Sequence, residues 1–182
     1  MPQRPSHALG FLLGFWLGLA LFLPLAAPPA FSDGAPPQAR APADGELAAL
    51  EQALHAAVNA YRKEHHLVAL VRRPELDAVA RGHSVDMATR RYLSHASPEG
   101  VDWVGRLGRA GVEGFAMAGE NVGLTSRANP NDEILQGWIR SPVHRENLVA
   151  PAYNATGLGV ARAADGSFYY AQLYLSFPRD AR

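Results

Sequence analysis

Apolar residues recur at steps of three and four from Leu47 through Leu50, Leu54 and Val58 to Tyr61. That spacing marks one buried stripe on a helix, and Asp44 stands where a cap would start it. Glu46 in the first turn and Arg62-Lys63 near the end suit the helix dipole. Glu64-His65-His66 closes the helix, and the paired histidines read as a solvated end because adjacent residues do not share a helix face. A second helix opens at Pro74, with proline at its first position. Leu76, Val79, Ala80, His83 and Met87 form its inner face, Ser84 and Asp86 fall off that stripe, and Arg90-Arg91 end it. His83 therefore reads as a buried histidine bonded to backbone. Ser97-Pro98-Glu99-Gly100 is a turn. A third helix is predicted from about Val101 to Ala110, with Trp103 and Leu107 inward and Gly111 stopping it.

Phe115 to Ala118 lead into a short strand over Gly119–Gly123. Asn129-Pro130-Asn131-Asp132 starts a fourth helix carrying Ile134, Leu135 and Trp138. Ser141-Pro142 starts a fifth, with Ser141 as its cap and His144 in its first turn, beside unpaired backbone N–H groups. After Pro151 the period changes to two, giving strands over 156–163 and 167–177 joined by a hairpin turn at Ala164-Asp165-Gly166. In the second of these, Tyr169, Ala171, Leu173 and Leu175 alternate with Phe168, Tyr170, Gln172 and Tyr174. Both faces are apolar or aromatic, so helices should cover the sheet on both sides. Gln172 serves either as a plain core hydrogen-bonding group or as a link to a site.

The N-terminus has a different texture. Arg4 precedes an uncharged apolar run from Leu9 to Ala27, followed by small residues and prolines to Ser32. This is the order of a secretory signal. The run also reaches the ~18 residues a spanning helix needs, so an uncleaved anchor is the alternative. Residues 1–32 are read as signal peptide or N-terminal membrane anchor, 33–43 as a Pro/Ala-rich linker, and 44–182 as one domain. Either way the domain is expected outside the cytoplasm, secreted or periplasmic, touching a membrane only through that first segment.

Composition narrows the function. The 182 residues carry no net formal charge. Without residues 1–32, which contain only Arg4, there are 16 basic and 17 acidic residues, net −1. No basic footprint for nucleic acid results. Absence of cysteine excludes disulfides, thiolate catalysis, Cys-ligated zinc and a lipoprotein anchor. The domain must rely on its packed core, and a monomer is expected. Asn154-Ala155-Thr156 matches a glycosylation sequon and is read as chance.

The most unusual stretch is Ala118-Gly119-Glu120-Asn121-Val122-Gly123, where a carboxylate and an amide sit inside an apolar run. Burying them costs free energy unless each finds partners. Two polar segments can supply those partners, Ser94-His95-Ala96-Ser97-Pro98 and Ser141-Pro142-Val143-His144-Arg145-Glu146-Asn147.

These segments, with Asn59-Ala60-Tyr61-Arg62, His83-Ser84-Val85-Asp86-Met87-Ala88, Trp138 and Gly157-Leu158-Gly159-Val160-Ala161, resemble the CAP superfamily (cysteine-rich secretory proteins, antigen 5, pathogenesis-related 1) in its bacterial SCP-like form. The likeness runs in family order over about residues 50–177. It implies an α+β fold, an α–β–α sandwich with a small antiparallel sheet between helices and an open cleft. The family's cleft holds two histidines and two acids. His95 matches the first histidine, Glu120 the first acid and His144 the second histidine. The second acid falls near Ser141, which is not acidic, and that departure removes one carboxylate from any mechanism.

The resemblance makes His95, Glu120 and His144 the candidate catalytic residues, with Asn121 and Ser141 beside them as cleft residues. Two imidazoles and a carboxylate are also acceptable zinc ligands, so a divalent metal on His95, His144 and Glu120 is one expectation. The i, i+4 histidine pair of helical metalloproteases and a G-x-S-x-G nucleophile elbow are both missing. Whether the protein is an enzyme stays open. Three readings follow: a binding module for a lipid, peptide or cell-envelope component; a metal-dependent or His/Glu-assisted hydrolase; or a purely structural polar cluster, for which Asn121 and Asn147 are suited. Tyr92, Trp103 and Phe115 could add apolar surface beside the cleft, with Trp103 and Trp138 read as core.

Overall fold

A computed structural model describes residues 44–178. The leader and linker expected over 1–43 lie outside the described residues. Five helices and four strands follow in order: α1 (Asp44–Glu64), β1 (Val71–Arg72), α2 (Pro74–Arg90), α3 (Trp103–Arg109), β2 (Met117–Thr125), α4 (Pro130–Arg140), α5 (Pro142–Val149), β3 (Ala155–Arg162) and β4 (Phe168–Ser176). All five helices and the three long strands fall where the periodicity placed them. The sheet order is β1-β3-β4-β2. The three long strands are antiparallel, and the two-residue β1, not foreseen, adds a parallel edge on β3.

Helices cover both faces, as the apolar β4 requires. One core layer sets Leu76, Ala80 and Met87 of α2 against Ala155, Ala161, Ala171, Leu173 and Leu175. The other sets Leu54 and Val58 of α1, Ile134 and Trp138 of α4 and Leu148 of α5 against Leu158, Val160, Tyr170 and Tyr174. On β3 the side facing α2 carries small residues, Ala155, Gly157, Gly159 and Ala161, and the opposite side carries Leu158 and Val160. At Gly157 an added Cβ would lie 2.2 Å from the Leu76 carbonyl carbon, and at Gly159 2.2 Å from the Arg81 nitrogen. Glycine is required here because α2 rests directly on the β3 backbone. Ser84, expected off the stripe, is fully buried and donates to Gly159 O at 2.8 Å. Close approach explains it: the narrow gap turns a small polar side chain inward, where the strand carbonyl accepts. Val79, expected in the core, is half-buried.

Beyond β1 the edge of β3 is finished by side chains. Leu158 N donates to Asp77 Oδ1 at 2.8 Å and Val160 N to Glu51 Oε1 at 3.4 Å. Arg72 bridges both carboxylates and Arg81 holds Glu51. At the other edge, Asn147 Nδ2 reaches Glu120 O at 3.2 Å and Trp138 Nε1 reaches Val122 O at 3.0 Å. Exposed edges invite strand addition, and here polar side chains occupy both. Arg62, expected as a dipole charge near the helix end, is fully buried. It donates to Val68 O, Leu148 O, Ala150 O and Tyr153 O, tying the end of α1 to the end of α5 and the turn after it.

Candidate functional site

Strand alternation sends Glu120 and Asn121 of edge strand β2 to opposite faces of the sheet. Glu120 points toward the α2–α3 layer, and its side chain is fully buried. Its Oε1 lies 2.9 Å from His95 Nδ1, and its Oε2 lies 2.5 Å from Arg106 Nη2. A carboxylate only accepts, so Nδ1 of His95 carries the proton and Nε2 is left free. The His95 side chain is 41% exposed, so the free side of the ring meets solvent. Arg106 also donates from Nη1 to His95 O and Val101 O, fixing the loop that carries the histidine. Asp102 caps α3 by accepting from Gly105 N, which sets the position of Arg106 one turn later.

Asn121 points the other way and is fully buried. It donates to His144 O at 3.0 Å and to the Tyr174 hydroxyl at 3.2 Å, and accepts from Asn147 Nδ2 at 2.9 Å. Tyr174 donates to Gln172, and Gln172 to Thr156. So Gln172 is both a core group and, through Tyr174, a link to the site. The network fixes the start of α5 and with it His144. Burial, with repulsion from His95, holds the His144 imidazole below its ordinary pKa. The two histidines stand on the two sides of the β2 edge, His95 on Glu120 and His144 over Asn121. His144 Nδ1 is buried and has no partner among the described residues.

Ser141 lies at the α4–α5 junction, half-buried, but its side chain does not cap α5. Its carbonyl starts the helix by accepting from Arg145 N. Ser94 Oγ accepts from Ala96 N and Ser97 Oγ from Val101 N, so both hydroxyls are tied to their own turns. Trp138 is core, as expected. Trp103 is not wholly core: it is half-buried, and its ring stands edge-on to His95 at 5.5 Å. Tyr92 and Phe115 pack on the α2-side core. His83 is 2% exposed and its Nε2 donates to Ser94 O at 2.8 Å, as a buried histidine should. The exposed His65-His66 pair ends α1. The sequon amide of Asn154 donates to Phe177 O and accepts from Phe177 N.

Glu120 is not placed to serve as a zinc ligand. Both Glu120 oxygens are engaged, and the guanidinium of Arg106 already supplies the cation that the carboxylate needs. Among the described residues, no three of His, Cys, Asp and Glu converge as a ligand set. Arg106 is the site residue that sequence reasoning missed. It stands next to Leu107 on a short helix, where an arginine ordinarily faces water.

Comparison with known proteins places this arrangement. The profile of the cysteine-rich secretory protein family, CAP, matches residues 55–174. The chain belongs to the CAP family. This CAP domain contains no cysteine. The uncharacterized membrane protein YlbC of Bacillus subtilis is 33% identical over 117 residues, covering 64% of this chain and 32% of YlbC. This CAP chain thus spans about a third of that relative's length. An extracellular SCP-domain protein from Bacillus anthracis is 33% identical, with a TM-score of 0.62 over 71% of this chain and 41% of that one. An outer surface protein from Borrelia burgdorferi shares the fold, with a TM-score of 0.65 at 18% identity over 71% of this chain and 94% of that one. No helix among the described residues is long and apolar enough to cross a membrane.

Proposed function

We propose that this CAP domain is an extracytoplasmic binding module whose cleft, formed by His95, Glu120, Asn121, Ser141 and His144, holds a polar group of a lipid, peptide or cell-envelope component. One observation carries the reading: both oxygens of Glu120 are consumed in fixing His95 and Arg106. The carboxylate builds the site and does not act in it. What it leaves for a ligand is the exposed face of His95, aimed by a buried acid, opposite a neutral His144. Ser94 and Ser97, the nearest hydroxyls in sequence, are held by backbone N–H groups, and neither pairs with a histidine. The extracellular and outer-surface neighbours support the placement outside the cytoplasm.

A hydrolase is the second reading, because a histidine oriented by a buried carboxylate is the geometry of a general base. One experiment separates the two. Anionic phospholipid vesicles, a pool of short peptides and soluble cell-wall fragments are titrated in turn into the full chain, while the ring C–H resonances of His95 and His144 are followed by NMR. Binding predicts that one class shifts both rings, that His95→Ala/His144→Ala abolishes the shift and that the added compound is recovered intact. Recovery of cleaved product with wild type but not with His95→Ala would establish the hydrolase. No shift from any class would leave the cluster structural.

A further inference from the structure

A separate pocket of about 450 Å³ opens between α2 and α3. Its α2 wall is the helix face Glu75, Ala78, Val79, Gly82 and His83, and its α3 wall is Arg106, Arg109 and Ala110. The volume is within the range of small-molecule sites. The sequence did not hint at it, because Val79 reads as core.

Three features give this pocket a chemistry. First, its middle is apolar and shallow-walled: Ala78, Val79, Gly82 and Ala110 present only small side chains. Second, Arg109 is exposed and has no ion-pair partner among the described residues, whereas the acid on the facing wall, Glu75, is already paired with Arg73 at 2.6 Å. The unbalanced charge is therefore positive. Third, a polar nitrogen of its lining residues, the donor Arg106 Nε, is buried without a partner. Native structures seldom leave such atoms unmatched.

We propose that the α2–α3 pocket is a second binding site, for a carboxylate carried on a compact apolar body. The carboxylate pairs with Arg109 and the free side of Arg106, and the apolar body lies along Val79, Gly82 and Ala110. The site is distinct from the His95–His144 cleft and does not depend on what that cleft binds. It shares a wall with it, however. Arg106 holds Glu120, and His83 holds the carbonyl of Ser94, next to His95. An anion on Arg106 competes with Glu120 for the guanidinium, so occupancy reaches His95 through one side chain.

The probe is 3-phenylpropanoate, with its neutral amide as the charge control, titrated into the full chain and read by amide NMR shifts. Saturable shifts are expected at Gly82, Val79 and Ala110, followed by a smaller shift of the His95 ring. The amide should bind about tenfold more weakly, as loss of a charge-assisted pair implies. Arg109→Gln should weaken the acid toward the level of the amide, with Arg106 keeping part of the difference, and leave the amide unchanged. Gly82→Leu fills the pocket, since a Cβ there meets nothing within 4 Å, and it improves helix propensity. That variant should fold and bind neither compound. Equal binding of acid and amide, shifts centred away from α2 and α3, or unaltered binding in Gly82→Leu would each overturn the proposal.

Discussion

The Glu120 side chain is fully buried, and Arg106 and His95 take one of its oxygens each. Removing one member of a buried ion pair strands the other, at a cost of about 3–5 kcal/mol. Glu120→Ala is therefore expected to lower the urea midpoint sharply, since the Arg106 side chain is only 14% exposed. Glu120→Ala/Arg106→Met should recover much of the loss, and a double variant no more stable than Glu120→Ala would show that packing, not charge, was lost. Protons give a second handle. Burial lowers the pKa of His55, His83 and His144 below the ordinary value. The unfolded chain then takes up protons at a higher pH than the folded chain does. Stability is full above the unfolded value of about 6.5 and is lost as pH falls through the depressed folded values. Urea midpoints at pH 7.5 and 5.5 should differ in that sense, and His144→Gln should narrow the gap. A midpoint that rises on acidification would contradict the burial of these rings as neutral groups.

Among the elements, α1 and α5 share the core layer of Leu54, Val58 and Leu148 and are tied further by one arginine. Arg62 serves four carbonyls, two of them at the end of α5 and one in the turn before β3. Each buried carbonyl left unmatched costs about 1–3 kcal/mol. Arg62→Met should destabilise the fold and raise hydrogen exchange in α5 and at 150–153 first. Arg62→Lys should rescue little, because an ammonium lacks the planar fork. Uniform loss of protection would show that Arg62 has no local role. This side chain also marks where sequence reading stops. The helices and the β3–β4 hairpin were legible because their signals are local: an apolar period, a proline at a first turn, Asp-Gly between alternating runs. The His95–Glu120 pairing was legible only through the motif order, 25 residues apart. Arg62, Arg106, Glu51 and Asp77 were not, since their partners are set by the tertiary fold. Arg62 meets Tyr153 at 91 residues' distance and Glu51 meets Val160 at 109. A charge one step off an apolar stripe looks the same whether it faces solvent or a carbonyl. Strand β1 was missed because two residues hold no period.

As a whole molecule, the domain closes its sheet without adding strands and holds its core without covalent staples. The β3 edge depends on Asp77 and Glu51 standing in for the strand that β1 does not continue. Asp77→Ala leaves Leu158 N unpaired and removes one partner of Arg72, so a loss of about 3 kcal/mol is expected. The same variant uncovers a strand edge, and light scattering at concentrations where wild type stays clear should then rise with time. Scattering that stays flat while stability falls would show that the edge is screened by something other than the carboxylate. The two layers are also unequal. Because α2 lies against β3 at Gly157 and Gly159 with no side chain between them, it has no room to slide or tilt. The seven-residue α3 has a single fully buried residue, Leu107. Any breathing of the groove between these helices must therefore be motion of α3, with α2 as a fixed wall. Because Arg106 is carried by α3, any such motion bears directly on the ion pair that holds Glu120.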